Sequence, residues 1–221
     1  MNRIEAVLFD FDGTLWDCEP FIFQAYDECF RQHGHRLSDT TWLRMMGTAG
    51  LSPWEHLEQL TGRRVDRAAA ERLVRRRTDE LLVTARARSG IRRLLDEVDQ
   101  DGLHRAIVSN SNRSWIARYA AQCGIADGWA FVECADGDLV RAKPAPDLYL
   151  TALARLGLEP GQAVAIEDSP AGIRAAKRAG LRCIAVRTHP AVEGADALID
   201  SFDRHDLTSL LATVTSAVEL R

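Results

Sequence analysis

Two hydrophobic periods alternate along this chain, and the points where one gives way to the other divide it. Residues 4–10, Ile-Glu-Ala-Val-Leu-Phe-Asp, form a short apolar run closed by Gly13, the pattern of a strand buried on both faces of a sheet. From about Glu19 to Arg88 the period lengthens to that of helices. Pro20 opens one, Ser38 with Asp39 caps a second, Pro53 starts a third, and Asp66 precedes a long Arg/Ala/Leu segment, each residue being of a type that begins helices. No strand is expected in that block. After Ser89-Gly90 the short apolar runs return. A helix is predicted from Ile91, a strand over 103–109, a helix from Ser111 closing at Gly124, and a weaker strand over 129–133. A helix over 146–156, a strand over 163–166, a helix from Ser169 to Gly180 and a strand over 183–186 follow. Past Arg187 the pattern supports a short strand over 197–199 and a final helix.

Strands separated by helices of ten or more residues imply parallel pairing with helices on both faces. The fold class expected is therefore α/β, a doubly wound parallel sheet with an inserted helical domain. Residues 1–18 and 89–221 would form the α/β core, and 19–88 the helical insertion. Because the insertion enters just after the first strand, it is expected to sit over the strand ends, where open α/β sheets bind ligands, and to act as a lid.

The chemistry-bearing residues gather at those same ends. Asp10 and Asp12 are two residues apart, so in an extended segment they face one side and their charges repel. Such a pair calls for a cation, hydrogen bonds or a shared proton. Gly13 permits the sharp turn and close backbone approach that an anion-handling loop needs. The second core strand ends in Ser109-Asn110-Ser111-Asn112, a hydroxyl and an amide just before a helix start, where phosphate oxygens can be held; Ser111 also suits a helix cap. Lys143 lies in the proline-stiffened stretch Arg141-Ala-Lys-Pro-Ala-Pro146. Only Lys143 and Lys177 among the 28 basic residues are lysine, so a site wanting a compact point charge is a reasonable expectation at Lys143. A fixed ammonium there would balance Asp10 and bind a phosphoryl group. Finally, Val-Ala-Ile-Glu167-Asp168-Ser-Pro delivers a second pair of acids at a strand end.

Composition narrows the partners. A formal net charge of −4 over 221 residues leaves no electrostatic footprint for nucleic acid. No stretch approaches the roughly 20 apolar residues that cross a bilayer, and the N-terminus lacks a signal-peptide layout, so a cytoplasmic protein is expected. Cys18, Cys29, Cys123, Cys134 and Cys183 form an odd set without a C-x-x-C pair, which points to reduced thiols.

Taken in order, acid pair, Ser/Asn, Lys-Pro and second acid pair, the chain resembles the haloacid dehalogenase superfamily, in the subgroup with a helical cap inserted after the first motif. The resemblance lies at Asp10-Phe-Asp12-Gly13-Thr14-Leu, Val-Ser109-Asn110, Lys143-Pro-Ala-Pro-Asp-Leu-Tyr and Glu167-Asp168-Ser-Pro-Ala-Gly-Ile, and it spans essentially the whole chain. It implies a Mg²⁺-dependent phosphatase of a small phosphate ester, monomeric or homodimeric, with Asp10 as nucleophile and Asp12 as acid and base. Ser109, Asn110 and Lys143 would hold the phosphoryl group. Asp10, the backbone carbonyl of Asp12, Asp168 and Glu167 would hold the metal.

Two other readings share these motifs. A β-phosphoglucomutase would carry a histidine shortly after the first motif and an arginine past a glycine in the cap, whereas this chain has Ile22 and the stretch Met46-Gly-Thr-Ala-Gly50. A phospho-accepting signalling module also uses paired acids and a Lys-Pro, but there the lysine follows the second acidic element. Cys18 and Ser89 depart from the family pattern at the two hinges. Arg44, Thr48 and Trp54 are the cap positions from which substrate contacts are expected.

Overall fold

The computed structural model describes residues 3–47, 52–187 and 193–215. The chain divides into two compact units, residues 18–85 and the remainder on either side of them. The larger unit holds a six-stranded sheet: β1 (Ala6–Phe9), β2 (His104–Ser109), β3 (Phe131–Cys134), β4 (Ala163–Glu167), β5 (Arg182–Val186) and β6 (Ala197–Ile199). Their order across the sheet is β3-β2-β1-β4-β5-β6, and every pairing is parallel.

The central strands β1 and β4 are buried throughout and β2 and β5 nearly so, as their apolar runs require, while the edge strands β3 and β6 are partly exposed. Ala6, Leu8, Ala106, Val108, Ala163, Ala165, Cys183 and Ala185 form one core face with Tyr149 and Ala152 of one helix and Ala175 and Ala176 of another. So many alanines let those helices approach the sheet closely, and cores so packed leave little room for added volume.

The smaller unit contains α1 (Glu19–Gln32), α2 (Asp39–Gly47), α3 (Pro53–Thr61) and α4 (Arg67–Leu82). No strand occurs among its described residues. Ser52 accepts the Glu55 N–H and Asp66 accepts the Ala69 N–H at the starts of α3 and α4, as expected of these cap residues. Cys18 stands at the cap position of α1 without a side-chain capping bond. Trp54, a candidate substrate contact by sequence, is instead buried core, packed with Ala25, Cys29, Ala70 and Val74. Its place beside Pro53 at the apolar face of α3 explains this. Arg44 is exposed on α2, and Thr48 lies outside the described residues.

The larger unit continues with α5 (Ile91–Gln100), α6 (Arg113–Cys123), α7 (Asp147–Leu156), α8 (Pro170–Arg178) and α9 (Leu207–Thr215). α7 and α8 cover the alanine-rich face, while α5 packs on β2 and α9 on β5. Helix α6 begins two residues later than expected. Asn112, without a side-chain cap bond, stands at its cap, because the Ser111 hydroxyl is engaged elsewhere. Ser89 donates to Asp203 at 3.0 Å.

Candidate active site

The sheet order places β1 beside β4, the point at which successive strands run outward in opposite directions, and open α/β sheets take ligands beyond the carboxyl ends at such a point. The register sets the side chains there. Phe9 pairs with both Ile107 and Ile166, so Asp10 emerges level with Val108, one residue before the end of β2, and with Glu167 at the end of β4. The Asp10 N–H donates to the Ile166 carbonyl at 2.9 Å, which ties the first acid to the strand that carries the second pair.

Lys143 closes the arrangement from the loop before α7. Its ammonium donates to Asp10 Oδ1, Glu167 Oε1 and the Val108 carbonyl, each at 2.6 Å. All three side chains are buried, Glu167 completely. Burial by itself favours the neutral amine, but Asp10 and Glu167 outweigh it and hold Lys143 above the ordinary lysine range. Burial pushes the Asp10 carboxyl well up, against the pull of Lys143, with Glu167 and Asp12 adding repulsion. Two buried carboxyl groups share one ammonium here, and a further cation beside them would offset the cost of burying their charge.

The residues fit a divalent ion. Oxygen atoms of Asp10, Glu167 and Asp168 lie within 4.8 Å of one another, an all-carboxylate donor set of the hard kind that Mg²⁺ accepts. Two glycines make room for it. Gly13 has φ +79°, and a Cβ there would fall 1.9 Å from Asp168 Oδ2; Gly172 lets α8 pass so close that a Cβ would fall 1.9 Å from Glu167 Oε2. The Asp12 side chain is not among the three clustered carboxylates.

The remaining predicted residues sit as follows. Ser109 is buried, and its hydroxyl accepts the Ser111 N–H at 3.1 Å. Asn110 pairs with the backbone of Lys143 in both directions, accepting its N–H at 2.7 Å and donating to its carbonyl at 3.1 Å. The amide expected on phosphate thus clamps the lysine loop. Three neighbours escaped the sequence reading. Tyr149 donates to Glu167 Oε1 at 2.7 Å, and its phenol is raised well above its usual range by burial and by Glu167. Trp16 and Trp115 donate to Asp12. Tyr149 falls inside the quoted Lys-Pro motif, which was a usable signal; nothing in the sequence marked Trp115.

The profile of the haloacid dehalogenase-like hydrolases matches residues 4–180, and the chain belongs to that family. It is 35% identical over 184 residues to the protein YhcW of Bacillus subtilis (strain 168), covering 83% of each chain. It is 31% identical over 185 residues to the validoxylamine A 7'-phosphate phosphatase of Streptomyces hygroscopicus subsp. limoneus, covering 83% of this chain and 86% of that one. Among solved structures, CbbY from Rhodobacter sphaeroides in complex with phosphate superposes with a TM-score of 0.72 at 30% identity, covering 94% of this chain and 99% of that one.

Proposed function

We propose that the protein is a Mg²⁺-dependent phosphatase that hydrolyses a small phosphorylated metabolite through a phosphoryl group carried on Asp10. The observation that carries this reading is the Lys143 ammonium held between Asp10 and Glu167, with Asp168 alongside. A carboxylate attacks a phosphate dianion poorly until the anion's charge is offset. Mg²⁺ held by Asp10, Asp168, Glu167 and the Asp12 carbonyl would supply that offset, together with Lys143.

Asp10 adds through a carboxylate oxygen to phosphorus, and the ester P–O bond breaks with its electron pair on the departing oxygen. Asp12 gives that oxygen a proton, then takes one from the water that cleaves the phosphoryl-aspartate. General acid and base help of this kind contributes about 10² to 10⁴-fold. Ser109 and nearby N–H groups orient the phosphoryl oxygens, and the helical unit serves as the cap. Ile22, where a mutase would carry its histidine, packs into the apolar cluster of Phe30, Leu37, Trp42 and Leu57. The relatives named above include a phosphate-ester hydrolase, which supports hydrolysis over isomerisation.

Asp10→Asn is expected to abolish Mg²⁺-dependent phosphate release while circular dichroism and the unfolding midpoint stay near wild type. Turnover surviving in that variant would refute the assignment. A panel of phosphorylated metabolites, glycolate phosphate, sugar phosphates and nucleoside monophosphates, compared by kcat/KM, identifies the substrate class.

A further inference from the structure

The carboxylate of Asp12 is gripped on both oxygens. Two indole N–H groups converge on Oδ1, Trp16 at 3.0 Å and Trp115 at 2.8 Å, while the Ser111 hydroxyl donates to Oδ2. Trp16 comes from the turn whose backbone bridges back to Asp12. Trp115 comes from the first turn of α6. Both rings are fixed by Tyr119: Trp16 stacks on it with centroids 4.4 Å apart, and Trp115 meets it edge-on at 4.5 Å. Trp115 and Tyr119 lie one helical turn apart, so α6 presents them on one face. None of these rings has a part in the chemistry described so far.

The donors differ in kind. An indole nitrogen only donates, so it can neither accept nor pass on a proton, whereas a hydroxyl rotates and does both. An oxygen facing two indoles is therefore an anchor, and an oxygen facing a serine can change its bonding as a reaction proceeds. The geometry makes the two oxygens of Asp12 unequal.

We propose that Trp115 is a positioning residue for the acid/base step: with Trp16 it holds Oδ1, and so presents Oδ2, beside Ser111, as the oxygen that exchanges protons with substrate and water. This deepens the phosphatase reading and rests on it. As the ester P–O bond breaks, its electron pair stays on the departing oxygen, the Oδ2–H proton joins that oxygen, and Asp12 is left as a carboxylate. In the second half the attacking water returns a proton to Oδ2 as its oxygen bonds to phosphorus and the bond from phosphorus to Asp10 breaks. Trp115 touches none of the reacting atoms. It acts by keeping the Asp12 side chain in one orientation, and small misplacements of an acid are costly to its efficiency.

The test compares two esters on the Mg²⁺-loaded enzyme. An alkyl phosphate from the panel needs its leaving oxygen protonated; p-nitrophenyl phosphate does not, because nitrophenolate departs as the anion. Trp115→Phe is expected to lower kcat/KM on the alkyl ester about tenfold, part of the acid's ordinary contribution, and to change the nitrophenyl ester by less than about threefold. Incorporation of benzothienylalanine at position 115, which keeps the two-ring shape and lacks only the N–H, gives the same split if the hydrogen bond is what matters, and carries the test if the phenylalanine variant folds poorly. In the metal-free protein, Asp12→Asn is expected to move the indole N–H resonances of both Trp16 and Trp115. Equal losses on the two esters, no loss in either variant, or indole signals unmoved by Asp12→Asn would overturn the proposal. Turnover surviving Asp10→Asn would instead remove the underlying reading that Asp10 carries the phosphoryl group.

Discussion

A single atom added at Gly172 separates two opposing effects. The residue is helical, and alanine in a helix is ordinarily worth about 1 kcal/mol over glycine. Here the new methyl would sit 1.9 Å from Glu167 Oε2 and 2.1 Å from Oε1. Glu167 is fully buried and bonded to Lys143, Tyr149 and Ser169, so it has no easy retreat. Overpacking of this kind costs about 1–3 kcal/mol, and Gly172→Ala is expected to lower the urea unfolding free energy and to depress phosphate release. A variant more stable than wild type would show that Glu167 moves freely. Tyr149→Phe tests the same carboxylate from the other side: it removes one donor while Lys143 stays, and a loss of about 1 kcal/mol is expected by urea unfolding. An unchanged midpoint would mean the phenol bond contributes nothing.

At the level of elements, the loop between α1 and α2 hangs on Asp27. Its carboxylate accepts the Leu37 N–H at 3.0 Å and the Arg31 Nε at 2.7 Å. Burial pushes the acid up, yet these bonds and the Arg31 charge together win and hold it below the usual carboxylate range. A depressed folded pKa means the stabilisation is complete above the unfolded value of about 3.9 and is lost as pH falls through the lower folded one. Asp27→Asn is thus expected to cost about 1 kcal/mol at pH 7, and the gap to wild type should close toward pH 3; a gap independent of pH would sink the electrostatic explanation. The same scale shows why the sequence reading succeeded where it did. Strands β1, β2, β4 and β5 are buried runs with sharp ends, and Ser38, Pro53 and Asp66 mark helix starts, so periodicity and caps sufficed for the elements and their order. The four motif acids and Lys143 were legible because strand ends converge by topology. The partners were not. Trp115 meets Asp12 across 103 residues of sequence, and Asn110 meets Lys143 across 33. Such pairings leave no periodic trace, and a serine before a helix looks like a cap whether or not it holds an acid.

The whole molecule joins an α/β unit that concentrates negative charge at one end of its sheet to a separate helical unit. Among the described residues no helix is long and apolar enough to cross a membrane, and all five cysteines are buried thiols. On the proposed function, a cation held by the acid cluster would stabilise the folded state. Ligand that binds only the folded state at 100 times its Kd adds about 2.7 kcal/mol, so saturating Mg²⁺ should raise Tm and a chelator should reverse the rise. Asp168→Asn should abolish most of that shift; a full Mg²⁺ shift in the variant would place the ion elsewhere. The most direct measurement is acid quenching of a single turnover followed by mass spectrometry of the tryptic peptide spanning residues 4–31. One phosphoryl group on Asp10, absent after Asp10→Asn, is the expected result. Phosphate released at full rate with no phosphoryl group ever found on Asp10 would contradict the mechanism.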